Sequence, residues 1–268
     1  MYKRFPTVIS NALIKNIHSM NEEYGTILNV MEYKIIFALF SKIKKTDTEL
    51  NKYNIPIVDF CKFWNISYGG KQSEIISESV KSLSEKYYIV SDKHVKYLSS
   101  ESYVSEGIMH LQLDDSIYDY VIALNGNFTI FNLDIIAKLK SKFTLRLYMF
   151  LKMFENQQFY NIELPDAFAV LGDNIYTTKS QFNNNILKKA VNEINAKSDI
   201  NISYRIEKYF AAPEKIRFFI KSKEIQPTEK IERYKRTPCI DIYVDPDPYV
   251  SCYDSDENYF IDENEFPF

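Results

Sequence analysis

Residues 143–204 read FTLRLYMFLKMFENQQFYNIELPDAFAVLGDNIYTTKSQFNNNILKKAVNEINAKSDINISY, and the fold of the chain turns on the second half of this stretch. Phe182, Ile186, Ala190 and Ile194 recur at every fourth residue, with Leu187 and Val191 beside them. They form one apolar stripe along a helix of about five turns, and that stripe needs a core to face. The opposite side carries Gln181, Asn184, Asn185, Lys188 and Lys189, all hydrogen-bond donors and none of them acidic. Such a face suits nucleic acid, since amide side chains pair with base edges and lysines with phosphates. Three asparagines in a row, Asn183 to Asn185, are poor helix formers, so something other than helix stability accounts for them.

Around this helix the pattern predicts a long helix (Leu139 to Phe154), a short apolar segment (Ile162 to Leu171) and a turn at Gly172-Asp173. Beyond it come two strand-like runs, Ile200 to Ile206 and Ile216 to Ile220, joined by a turn containing Pro213. Three helices closed by a hairpin are the parts of a winged helix, an α+β unit that seats its third helix in the major groove.

The segments LRLYMFLK (145–152), LPDAFAVLGDNIY (164–176) and FNNNILKKAVNEINAKSDINISY (182–204) resemble the second winged-helix domain of the plasmid replication initiator (Rep) family. The resemblance implies two winged-helix domains in tandem over residues 8 to 221. It further implies binding to repeated double-stranded origin sites (iterons), help in melting adjacent A·T-rich DNA, recruitment of a host initiator ATPase and replicative helicase, and repression of the chain's own gene as a homodimer formed through the first domain. It implies no catalysis and no cofactor. Many members carry a Gly-Arg pair at the wing turn; here it reads Phe210-Ala211-Ala212-Pro213-Glu214, which moves the weight of DNA binding from the wing tip to the helix. Arg146, in the LRLY segment, matches the family's pattern, and its expected role is a structural ion pair, with a phosphate contact as the alternative.

The rest of the chain agrees with a second copy of the same unit. Val8 to Ile17 opens it, followed by an amphipathic helix over Met31 to Lys45, a polar linker (Lys44 to Asn54) and the apolar run Val58 to Trp64. A turn at Ser67-Tyr68-Gly69-Gly70 leads to a helix over Gln72 to Lys86, with Ile75, Ile76, Val80 and Leu83 on one side. Strand-like runs follow at Tyr87 to Val90, Val95 to Leu98 and Gly107 to Leu113. The order repeats that of the second half, a faint internal repeat with little residue identity. The join is placed at Asn125-Gly126-Asn127, giving domains 1–127 and 128–223 with a linker and acidic tail over 224–268.

Charge divides the same way. The chain has a net charge of −3, but residues 241–268 hold nine acidic side chains and no Lys or Arg, which leaves 27 acidic against 33 basic in residues 1–240. The predicted folded part is mildly basic; the tail, with Pro246 and Pro248, is predicted to be flexible. Asp254, Asp256, Asn258, Asp262 and Glu265 fall on the ligand positions of a calcium-binding loop, yet Tyr259 occupies the place that needs glycine. The plain reading of the tail is a solvated appendage; another is an intramolecular mimic of DNA phosphate that folds onto the basic helix and wing.

Catalytic chemistry is not signalled. His18, His94 and His110 are isolated, so the paired-histidine metal site of a strand-nicking enzyme is missing from the sequence. Cys61, Cys239 and Cys252 have no metal-ligand spacing and no disulfide framework, and with no long apolar run this points to a soluble, cytoplasmic chain without a membrane partner. Gly69-Gly70-Lys71-Gln72 lacks the upstream glycine and the Ser/Thr of a phosphate loop.

The expected DNA contacts are therefore Lys179, Gln181, Asn184, Asn185, Lys188 and Lys189 on the helix, and Arg205, Lys215 and Arg217 on the hairpin. Lys71 and Gln72 join them at the start of the corresponding helix of the first domain. A transcriptional repressor would use the same fold and helix. A rolling-circle nickase and a protein-interaction module are the remaining alternatives.

Overall fold

The structure, a computed structural model, describes residues 6–17, 28–43, 47, 49–90, 93–122, 128–172, 178–209 and 212–223. The expected join at 125–127, the Gly172-Asp173 turn beyond Gly172, Phe210 and Ala211 of the wing turn, and the acidic tail with its calcium-loop pattern lie outside these residues.

The first half runs β1 (Pro6–Ser10), α1 (Asn11–Ile17), α2 (Val30–Phe40), β2 (Lys52–Pro56), α3 (Ile57–Trp64), α4 (Gly70–Glu85), β3 (Tyr88–Val90), β4 (Lys93–Val95), β5 (Tyr103–Ser105), β6 (Ile108–Gln112) and α5 (Tyr118–Val121). The second runs β7 (Phe128–Asn132), α6 (Leu133–Lys138), α7 (Lys142–Lys152), β8 (Phe159–Glu163), α8 (Leu164–Gly172), α9 (Lys179–Phe182), a π-helical turn (Asn183–Leu187), α10 (Lys188–Lys197), β9 (Ile200–Tyr209) and β10 (Ala212–Ser222).

Two three-stranded antiparallel sheets have the same order of strands. In the first, β2 pairs with β6 and β6 with β5; in the second, β8 pairs with β10 and β10 with β9. In each, the first strand precedes the second helix and the other two follow the third, so the chain holds two winged helices in tandem. The first strand of each was hidden in the sequence. Lys52–Pro56 lies at the end of the expected polar linker, and Phe159–Glu163 overlaps the start of the expected apolar segment. Both are half-polar, because only one face of each meets a core.

The expected first wing, Tyr87 to Leu98, is instead a separate β3–β4 hairpin. The strands paired to β2 come later and turn at Glu106-Gly107, both with positive φ (50° and 77°), the geometry that a two-residue hairpin requires. The long helix expected over Leu139 to Phe154 is α7 alone, shorter at both ends at Lys142–Lys152. Leu139 and Ser141 have extended backbones, so α6 stops and α7 starts afresh.

Helix boundaries follow from local chemistry. Asn29 caps α2 by accepting from the Met31 and Glu32 amides (2.8 and 2.9 Å), and Glu32 returns the bond by accepting from the Asn29 amide at 2.7 Å. Glu32 is fully buried, and Lys86 Nζ reaches both of its oxygens (2.7 and 2.8 Å), which ties α2 to the end of α4. Asn65, left-handed at φ 53°, ends α3.

The two units are not separate bodies. β1 is hydrogen-bonded to β7 over five residue pairs, so the start of the chain is joined to the strand that opens the second half. Phe131 on β7 meets Phe37 of α2 edge-on at 5.7 Å and Tyr148 of α7 at 6.0 Å, bridging the first helices of both units. Arg146 is fully buried, with its guanidinium over the Phe143 ring at 5.9 Å.

A candidate nucleic-acid interface

The helix from Lys179 to Lys197 sits where the third helix of a winged helix belongs. Phe182, Ile186, Leu187, Ala190, Val191 and Ile194 are all buried, against the sheet and α7. Burying each of the large ones contributes roughly 1.5–3 kcal/mol. A strict fourth-residue repeat does not suit an α-helix, whose 3.6-residue turn would swing the stripe about 40° at every step. The π turn over Asn183–Leu187 takes up that drift: the Lys188 amide donates to the Asn183 carbonyl, five residues back, and the widened turn keeps the stripe on the core. The three asparagines occupy this turn, where their low helix propensity costs least.

Asn183 is spent on structure, since its side-chain oxygen accepts from the Tyr204 hydroxyl on β9. Asn195 clamps the other end, donating to the Ile202 carbonyl (2.8 Å) and accepting from the Ile202 amide (2.7 Å). Lys223 Nζ caps the helix's last carbonyls at Asn195 (2.6 Å) and Ser198 (2.7 Å). Glu193 accepts from the Lys140 amide (3.1 Å), Thr144 (2.9 Å) and Lys197 (2.7 Å), joining the helix to the start of α7. Burial pushes this carboxyl's pKa up, but the three hydrogen bonds outweigh it and hold the group below its ordinary value.

What remains exposed is the expected row. Lys179, Gln181, Asn184, Asn185, Lys188 and Lys189 all face solvent, together with Ser180 and Asn192, and no exposed residue of the helix is acidic. Asn192 was readable as a member of the row, four residues beyond Lys188. Within it Lys188 Nζ donates to Asn184 Oδ1 (2.9 Å), and Lys179 Nζ pairs with Glu214 (2.8 Å) beside the wing turn.

The hairpin residues lie on a different surface. Arg205, Lys215 and Arg217 are in register with one another and with Glu207, on the face of the sheet opposite Ile202, Ile216, Phe218 and Ile220, which pack inward. The helix covers the inward face, so the structure brings these three together but away from the amide row. Lys215 pairs with Glu163 (3.3 Å), Arg217 with Glu207 (3.5 Å) and Asn161 (3.0 Å), and the Arg205 guanidinium stands over the Phe219 ring at 5.8 Å. Side chains in strands alternate between faces, and the sequence could not say which alternate faced the helix.

In the first unit, Lys71 is exposed and Gln72 half-buried at the start of α4. The rest of that helix's solvent face is balanced toward acid, with Glu74, Glu78 and Glu85 against Lys71 and Lys81. Its wing turns on Glu106-Gly107, and its two strands β5 and β6 carry no Lys or Arg. Among the described residues no group of three or more His, Cys, Asp or Glu could hold a metal, and no helix is long and apolar enough to cross a membrane.

Comparison with known proteins finds two family models in tandem along the chain. The family model for the initiator replication protein, WH1, matches residues 8–152, and that for the initiator Rep protein, WH2, matches residues 163–220. No curated protein matches the chain. Among solved structures, the Pi initiator protein in complex with iteron DNA is similar with a TM-score of 0.67 at 16% identity, over 84% of this chain and 100% of that one. Domains 2 and 3 of RctB are similar at 0.46 and 12% identity, over 75% and 84% of the respective chains.

Proposed function

Since the chain belongs to the initiator replication protein family, we propose that it is a DNA-binding plasmid replication initiator that reads repeated double-stranded origin sites with the helix Lys179–Lys197. The observation that carries this is the exposed row Gln181, Asn184, Asn185, Lys188 and Lys189, free of acid and fixed to the wing by Asn183 and Asn195. Asn and Gln pair in bidentate fashion with adenine, so the sites contain A·T pairs, and the lysines on either side meet phosphates. Lys71 and Gln72 are an accessory backbone contact from the first unit. Homodimerisation, repression of the chain's own gene and recruitment of a host ATPase and helicase belong to this reading through family membership.

Selection of bound sequences from a random DNA pool tests it. A recurring A·T-containing motif is expected, and Asn184→Ala or Asn185→Ala should cost about 1–3 kcal/mol on that motif while relaxing preference at one position. Failure of any sequence to be enriched over random DNA would refute it. A plasmid carrying the enriched repeats beside its origin, and replicating only when the chain is supplied, separates an initiator from a repressor.

A further inference from the structure

The outward face of the β8–β10–β9 sheet is built in rows. Phe159, Phe219 and Ser203 are neighbours across the strands, as are Asn161, Arg217 and Arg205. Phe159 is 54% exposed and Phe219 37%, and among the described residues they are the two largest exposed side chains of the second unit. Two arginines stand directly opposite each other on adjacent strands; Glu207 answers Arg217 at 3.5 Å, while Arg205, over the Phe219 ring, is paired with no carboxylate among the described residues. The face carries Arg205, Lys215, Arg217 and Lys221 against Glu163 and Glu207, a net of +2. Exposed rings beside a net positive charge suit a ligand that is both aromatic and acidic.

Residues 241–268 of this chain have that composition: nine carboxylates, no Lys or Arg, and the rings of Tyr243, Tyr249, Tyr253, Tyr259, Phe260, Phe266 and Phe268. The chain leaves the sheet at Ser222, three residues past Phe219 or roughly 10 Å along the strand. Eighteen residues then separate Ser222 from Asp241, and even a random-coil path of that length averages roughly 25 Å. A segment tethered at such a distance sees its site at an effective concentration of about a millimolar, so weak contacts suffice.

We propose that residues 241–268 dock on the outward face of the sheet, laying Tyr and Phe rings on Phe159 and Phe219 and carboxylates on Arg205 and Arg217. The helix Lys179–Lys197 is the competing surface, and it is the poorer match. Its solvent side has no exposed aromatic ring for the segment's tyrosines and phenylalanines to meet. Docking on the sheet leaves the amide row open, so the inference stands apart from the DNA-binding reading and does not need it.

Native thiols make the test direct. Cys61 is buried, so in the full-length chain with Cys239→Ser, Cys252 is the reporter within the segment. Ser203→Cys places a second thiol beside Phe219, and Asn185→Cys places one on the helix. Under mild oxidation the Ser203→Cys chain should form an intramolecular disulfide with Cys252, independent of protein concentration and about ten-fold faster than the Asn185→Cys chain. Arg205→Glu with Arg217→Glu, or 1 M salt, should slow it toward the helix rate. Equal rates at the two positions, or a faster link to the helix, overturn the inference. So does a chain that forms neither link while Phe159→Ser with Phe219→Ser abolishes its binding of oligothymidylate, which would give the face to single-stranded nucleic acid.

Discussion

The hydroxyl of Tyr204, on β9, donates to the side-chain oxygen of Asn183 at the first residue of the π turn. One wing strand thus holds the helix at the point where its register changes, immediately before the two asparagines that face solvent.

Tyr204→Phe removes that bond and nothing else of size. A net loss of about 0.5–1.5 kcal/mol in stability is expected from denaturant unfolding. The larger effect should appear in binding, with selected sites weakened several-fold and random DNA unaffected, because the amide row loses its fixed orientation. Equal weakening of both would mean that the bond serves stability alone.

The amide row was legible because its opposite, the apolar stripe from Phe182 to Ile194, was legible. Hydrophobic periodicity locates the core, and the exposed face follows by subtraction. The same spacing also contained the π turn, since a repeat of four over three turns is too long for an α-helix. The wing was less legible. Alternation shows that Arg205, Lys215 and Arg217 share a face, but the core face is set by which alternate meets α10, and this emerges only from packing. β2 and β8 were missed for a related reason: each is a five-residue edge strand whose alternation is too short to stand out. The pairing of β1 with β7, more than a hundred residues apart, leaves no local trace at all.

That difference between the two surfaces is measurable in the salt dependence of binding. Lys188→Ala and Lys189→Ala should each lower the slope of log affinity against log salt by roughly 1, since each removes one phosphate contact. Lys215→Ala and Arg217→Ala should leave the slope unchanged, because these side chains stand on the far face of the sheet, paired with Glu163 and Glu207. A slope that fell in all four variants would put DNA on both surfaces.

Lys179 presents a different case, because its ammonium is engaged with Glu214 beside the wing turn. Glu214→Gln removes the negative charge from the edge where the helix and wing would meet the backbone, and frees the lysine. Random-DNA affinity should rise at low salt and the slope steepen by about 1, for one more phosphate neutralised. Stability should hardly change, since an exposed pair of this kind contributes little. If binding instead weakens, the pair is needed to set the wing's angle.

The last prediction concerns acid. Glu193 binds the Lys140 amide, Thr144 and Lys197 through its ionised carboxylate, and its pKa in the folded chain lies below the ordinary 4.5. A carboxyl whose pKa is lowered by folding stabilises the fold above its unfolded value and loses that contribution as pH falls through the folded one. Stability should therefore be level in this respect above pH 4.5 and decline below it. Glu193→Gln keeps the shape but not the charge, so it should be less stable than the parent at neutral pH and converge on it under acid. The contacts join α10 to the start of α7, so the same variant should bind selected sites less well at neutral pH. Urea unfolding of both proteins between pH 3 and pH 7 gives the comparison, and parallel curves across that range would remove Glu193 from the account.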